Sequence, residues 1–108
     1  MSSKTENLTV PKGDYGFDFN FTLYDANETV GDLTDYTVTL KVWSPSVSGT
    51  LLVNAECTID EAADGTCHYT VQDEDFDTVG RYLYEVEITK EGIVESAQSG
   101  WITVVESG

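Results

Sequence analysis

The chain has 108 residues, the size of one domain, and its 40% hydrophobic and 11% aromatic content is enough for a single modest core with little room for a deep catalytic cavity. Twenty acidic side chains oppose five basic ones, for a formal net charge of −15. Phosphate backbones and anionic membrane surfaces are bound through Lys and Arg, so neither nucleic acid nor membrane is an expected partner; a charge-selected partner would be cationic. Such a charge also keeps a surface heavily solvated and suits a saline setting.

Residues 1–7, Met-Ser-Ser-Lys-Thr-Glu-Asn, have no apolar core of the kind a secretory signal carries, and no run of 18 apolar residues occurs anywhere. They are expected to form a flexible end, with one domain over 8–106. A short strand is predicted at 8–10. The clearest alternation follows at 15–23, where Tyr15, Phe17, Phe19, Phe21 and Leu23 share one face and Asp18, Asn20 and Thr22 the other. Val38, Leu40 and Val42 repeat the pattern, as do Tyr82, Tyr84, Val86 and Ile88, so three long strands each cover one side of a core. Shorter strands are predicted at 51–53, 56–59, 67–71, 93–96 and 101–105.

Turn signals separate these strands at regular spacing: Asp25-Ala-Asn27, Val30-Gly31-Asp32, Ser44-Pro45-Ser46, Ala63-Asp64-Gly65 and Lys90-Glu91-Gly92. No helix of normal length is predicted, only a single turn within 72–79. The pattern predicts an all-β protein, an antiparallel β-sandwich. Asp77-Thr-Val-Gly-Arg-Tyr82 is similar to the tyrosine corner of immunoglobulin-like sandwiches, with Tyr82 folding its hydroxyl back onto upstream backbone. Tyr84 stands where antibody domains carry a cysteine, so the inter-sheet disulfide of those domains is not expected.

Little in the chain points to chemistry. The lone histidine, His68, falls out of phase with Cys67, Tyr69 and Val71 and is expected on a solvated face, unsuited to general-base work in a shielded pocket. Cys67 and His68 are adjacent in a strand, point to opposite faces and cannot share a zinc ion with Cys57. Asp60-Glu-Ala-Ala-Asp64-Gly65 has part of a calcium-loop pattern but lacks its third ligand and its terminal Glu; Asp73-Glu74-Asp75-Phe76-Asp77 lacks the glycine and the distal Glu. No catalytic residue, metal site or cofactor is therefore expected.

Cys57 and Cys67 flank the Ala63-Asp64-Gly65 turn and are expected opposite or nearly opposite each other, where either a cross-strand disulfide or a pair of buried thiols fits. Tyr24, Trp43 and Trp101 fall out of phase with their apolar neighbours, which marks them as candidates for an exposed interface unless strand ends return them to the core.

The succession Gly13-Asp14, Phe21-Thr-Leu-Tyr-Asp25, Asp32-Leu33-Thr34, Ala62-Ala-Asp64-Gly65 and Val79-Gly80-Arg-Tyr82 resembles the N-terminal domain of phage baseplate upper proteins over residues 9–106. The resemblance implies an immunoglobulin-like sandwich without catalytic residues, a non-enzymatic structural module of a phage or prophage tail or baseplate. Such a module docks a receptor-binding or fibre component onto the tail, with other tail or baseplate proteins, or further copies in a homo-oligomer, as partners. Its expected place is the virion, after synthesis in the host cytoplasm. Members of that family continue into further domains, whereas this chain ends at Gly108, as expected for a cut-out domain or a small stand-alone protein. The alternative from the residues alone is a cell-surface or carbohydrate-binding β-sandwich, which would need Trp43, Trp101 or tyrosine rings side by side.

Overall fold

A computed structural model describes residues 4–24, 31–44 and 50–106. Among them are nine strands: β1 (Lys4–Thr5), β2 (Leu8–Pro11), β3 (Asp18–Thr22), β4 (Thr37–Trp43), β5 (Leu51–Glu56), β6 (Thr58–Glu61), β7 (Thr66–Thr70), β8 (Gly80–Lys90) and β9 (Ile93–Val105). The turns expected at Asp25-Ala-Asn27 and Pro45-Ser46 lie outside the described residues. A 3-10 turn at Ala62–Asp64 joins β6 to β7, ending on Gly65 with a left-handed φ of 70°. A side chain on Gly65 would meet the carbonyl oxygens of Gly31 and Leu23 at 2.6 Å, so only glycine fits this junction.

Alternation of side chains assembles the strands into two sheets. Phe19 and Phe21 on β3, Val38, Leu40 and Val42 on β4, and Tyr82, Tyr84, Val86 and Ile88 on β8 are all buried. The large sheet runs β9-β8-β4-β5, with β1 and β2 both paired to the outer side of β9; the small sheet runs β3-β7-β6. Lettering β2 to β9 as A, B, C, C′, D, E, F and G puts G, F, C and C′ in one sheet and B, E and D in the other. That is the division of an immunoglobulin variable-type sandwich, with strand A joined to G.

Aromatic rings close the space between the sheets. Phe76, from the loop before β8, lies 5.9 Å from Phe19 and 5.4 Å from Tyr82, and Phe21 stacks on Tyr84 at 6.5 Å. The Tyr82 hydroxyl donates to the Thr78 carbonyl at 2.7 Å, tying the start of β8 to the loop that carries Phe76. Tyr69 donates to the Asp75 carboxylate, and the Gln72 N–H donates to the same group at 2.9 Å, which fixes the other side of that loop. Asp75 N–H closes a turn on the Gln72 carbonyl within the 72–79 segment.

Three sequence expectations need correction. The sandwich is not wholly antiparallel: β1 and β2 run parallel to β9, because the chain enters along the free edge of the large sheet before crossing to the small one. Residues 4–7, expected within a flexible end, are held by that edge; the Glu6 N–H donates to Ser99 at 2.9 Å and the Trp101 N–H donates to the Asn7 side chain at 3.1 Å. The segments 93–96 and 101–105 are one continuous strand. Ala97-Gln98-Ser99-Gly100 conceals it because a register shift opposite Val86 and Glu87 turns both Ala97 and Gln98 inward, breaking the two-residue period. Gly100 has its own reason to lack a side chain: a Cβ there would lie 2.2 Å from the Glu6 carbonyl oxygen.

Candidate docking face

Each sheet turns one face to the core, and the two outward faces differ. On the small sheet the outward residues pair as Asp18 with Thr70, Asn20 with His68, His68 in turn with Thr58, and Thr22 with Thr66. All are polar. His68 Nδ1 lies 2.8 Å from Asp60 Oδ1, and this hydrogen bond raises the imidazole above its ordinary pKa of 6.5; Thr70 donates to Asp18 at 2.6 Å. His68 is thus a part-exposed side chain held by its neighbour on the polar face.

The large sheet behaves otherwise. Register places Trp101 opposite Leu83, Leu83 opposite Trp43, and Trp43 opposite Leu51, so one row of large apolar side chains crosses β9, β8, β4 and β5. Partners across a ladder point to the same face. Leu83 is 45% exposed, Leu51 40% and Trp101 39%, with Trp43 half-buried. The bulge between Val42 and Trp43 adds Leu52, also exposed, at the β5 end. Leaving such a row exposed to water is unfavourable by the ordinary hydrophobic term, which is why contiguous exposed patches mark contact sites.

Charged groups border the row on both sides. Arg81 lies over the Trp101 ring at 4.7 Å. On the other side runs Ser99, Glu85, Lys41 and Asn54, and beyond it Ser96, Glu87, Thr39 and Glu56. Lys41 pairs with Glu87 at 2.9 Å. Burial, then the neighbouring Glu87, raises the Glu85 carboxyl above its ordinary value.

The three aromatic candidates from the sequence therefore separate. Trp43 and Trp101 share the row, with Leu83 between them, while Tyr24 lies beyond the end of β3 with its ring under Lys4 at 5.0 Å. The two indoles sit on strands two places apart, roughly 10 Å at the usual strand spacing, and so form no adjacent pair. Leu83 and Leu51 escaped notice in the sequence because an outward leucine in a strand is ordinary; only the pairing register joins them to the tryptophans.

Cys57 and Cys67 are free, buried thiols. They lie side by side with their thiols hydrogen-bonded: Cys67 faces Ile59 in the ladder, and Cys57, just before β6, donates its N–H to the Val38 carbonyl on the large sheet at 2.8 Å. The hydrogen bond with Cys67 and burial push the Cys57 thiol far up. Among the described residues no group of three His, Cys, Asp or Glu side chains is placed to hold a metal ion, and no helix is long and apolar enough to cross a membrane.

Strand order, the Tyr82 corner and the two unlike faces define an immunoglobulin-like β-sandwich module. The chain belongs to the family of the BppU N-terminal domain, the N-terminal domain of baseplate upper proteins, which matches residues 3–105. Its fold is similar to the N-terminal domain of phage TP901-1 ORF48, with a TM-score of 0.58 and 14% sequence identity over 98% of this chain and 100% of that one. Among curated proteins, nothing matches. Family membership makes this chain a phage baseplate structural module.

Proposed function

We propose that the domain is a non-enzymatic attachment module of a phage or prophage tail, docking to another virion protein through the outward face of its large sheet. The observation that carries this reading is the row of Trp101, Leu83, Trp43 and Leu51, a contiguous apolar stripe across four strands of a molecule with a net charge of −15. Interfaces centre on buried aromatic and aliphatic anchors with a polar rim, and Arg81, Lys41 and Glu85 form such a rim here. Tyr24 lies away from the row, under Lys4 of β1, and takes no part in this contact.

The carbohydrate-binding alternative draws less support. A stacking platform needs neighbouring open rings, whereas Leu83 separates the two indoles and Arg81 covers one of them. In this reading the module comprises residues 4–106, because β1 pairs with β9.

Incorporation into tail particles tests the reading. Particles assembled with Leu83→Glu in place of the normal chain should lose the protein, as followed by quantitative mass spectrometry of purified particles, while Thr58→Glu on the small sheet should leave it in place. Retention of Leu83→Glu at normal stoichiometry would overturn docking through this face.

A further inference from the structure

The same row has a property beyond being apolar: its order is Trp, Leu, Trp, Leu from β9 to β5. Reversed, it reads Leu, Trp, Leu, Trp. If a second copy is laid face to face about a two-fold axis parallel to the strands, Trp101 meets the other copy's Leu51 and Leu83 meets its Trp43. Each large ring then lies over a smaller branched side chain, along a row about 15 Å long at the usual strand spacing. That is the self-complementarity a two-fold contact requires, in which one patch serves as both halves of the interface.

Charge selects the same occupant. The two-fold that matches the stripe also reverses the adjoining row Ser99-Glu85-Lys41-Asn54, so Lys41 of each copy comes to face Glu85 of the other and no two like charges of that row meet. Bringing two copies together opposes their long-range charge, but salt screens that repulsion while leaving apolar burial intact.

We infer that the outward face of the large sheet is a self-association surface, forming a two-fold dimer whose strength rises with salt. The contact is small, at the low end of specific interfaces, so the dimer is weak and exchanges readily. This inference does not rest on docking to other virion proteins; it concerns the isolated chain.

Sedimentation equilibrium of the full chain tests it, at roughly 0.05 M and roughly 1 M NaCl, where the screening length falls from about 14 Å, comparable with the length of the row, to about 3 Å. The expected result is a monomer at low salt and, at high salt and high protein concentration, a species of twice that mass. Leu83→Glu and the milder Leu83→Ser should both weaken dimerisation at least tenfold, with circular dichroism reporting that each is folded; Thr58→Glu, which adds the same charge to the small sheet, should not. Both tryptophans of the chain lie on this row, so their emission should shift to the blue as dimer forms. A chain monomeric at every salt concentration would overturn the inference, as would a dimer indifferent to both Leu83 variants or one whose tryptophan emission does not move. Loss of Leu83→Glu from tail particles together with a strictly monomeric free chain would overturn self-association and leave docking to another protein standing.

Discussion

The two sheets obey the same two-residue period and contribute to the same core, yet their outward faces have been given different chemistry. The small sheet displays Asp18, Asn20, His68, Thr58 and Thr70, paired among themselves and solvated. The large sheet displays Trp101, Leu83, Trp43 and Leu51 in line. Nothing in the folding of a sandwich asks for that difference, since one apolar face per sheet suffices to build the core. The teaching is that inward residues report how the chain folds, whereas a departure from polarity on an outward face reports what the folded domain touches.

Substitutions can break or sharpen this contrast. The largest effect belongs to the layer both sheets share: Phe76→Ala removes a fully buried ring in contact with Phe19 and Tyr82 and should cost about 3–5 kcal/mol in urea unfolding. Tyr82→Phe keeps the ring and deletes only the bond to Thr78, so about 1 kcal/mol is expected by the same measurement. Leu83→Ser, on the outward row, should change stability by no more than about 0.5 kcal/mol while weakening contact formation at least tenfold, because the side chain points to solvent from the outward face. A large loss of stability at Leu83 would erase the distinction between the faces.

The smallest effect is on the polar face and concerns pH. The Asp60 hydrogen bond raises the folded-state pKa of His68 above its unfolded value, so whatever stability the pair contributes is fully present below the unfolded pKa and is lost as pH rises through the folded one. Proton NMR of the single imidazole should show a pKa above 6.5, falling toward that value in Asp60→Asn. Tail incorporation should be indifferent to that change.

Much of the fold was legible from period alone. The alternations in β4 and β8 place their buried residues correctly because each strand is half-buried, and Tyr82 was visible through the residues preceding it; in the first run Phe19, Phe21 and Leu23 are buried, but Tyr15 lies before β3 and is exposed, so the period there was read too far toward the N-terminus. The unbroken β9 was not legible, since a bulge and Gly100 interrupt the period, and the parallel β1 and β2 were not, since a two-residue and a four-residue strand carry too little pattern. The site was half legible. Trp43 and Trp101 stood out by phase, but their connection through Leu83 and on to Leu51 is a matter of register, which is set between strands and leaves no local trace. Net charge, counted over the chain, points to cationic partners, whereas beside the row charges of both signs stand together, Arg81 and Lys41 with Glu85 and Glu87.

Covering of the row in the assembled tail is the central claim, and hydroxyl-radical footprinting reads it directly. Oxidation of Trp43 and Trp101, measured by mass spectrometry, should fall severalfold between the free domain and the tail particle, while Tyr15, 59% exposed and away from the large sheet's outward face, should be oxidised equally in both. Equal oxidation of Trp101 in the free and assembled states would contradict it.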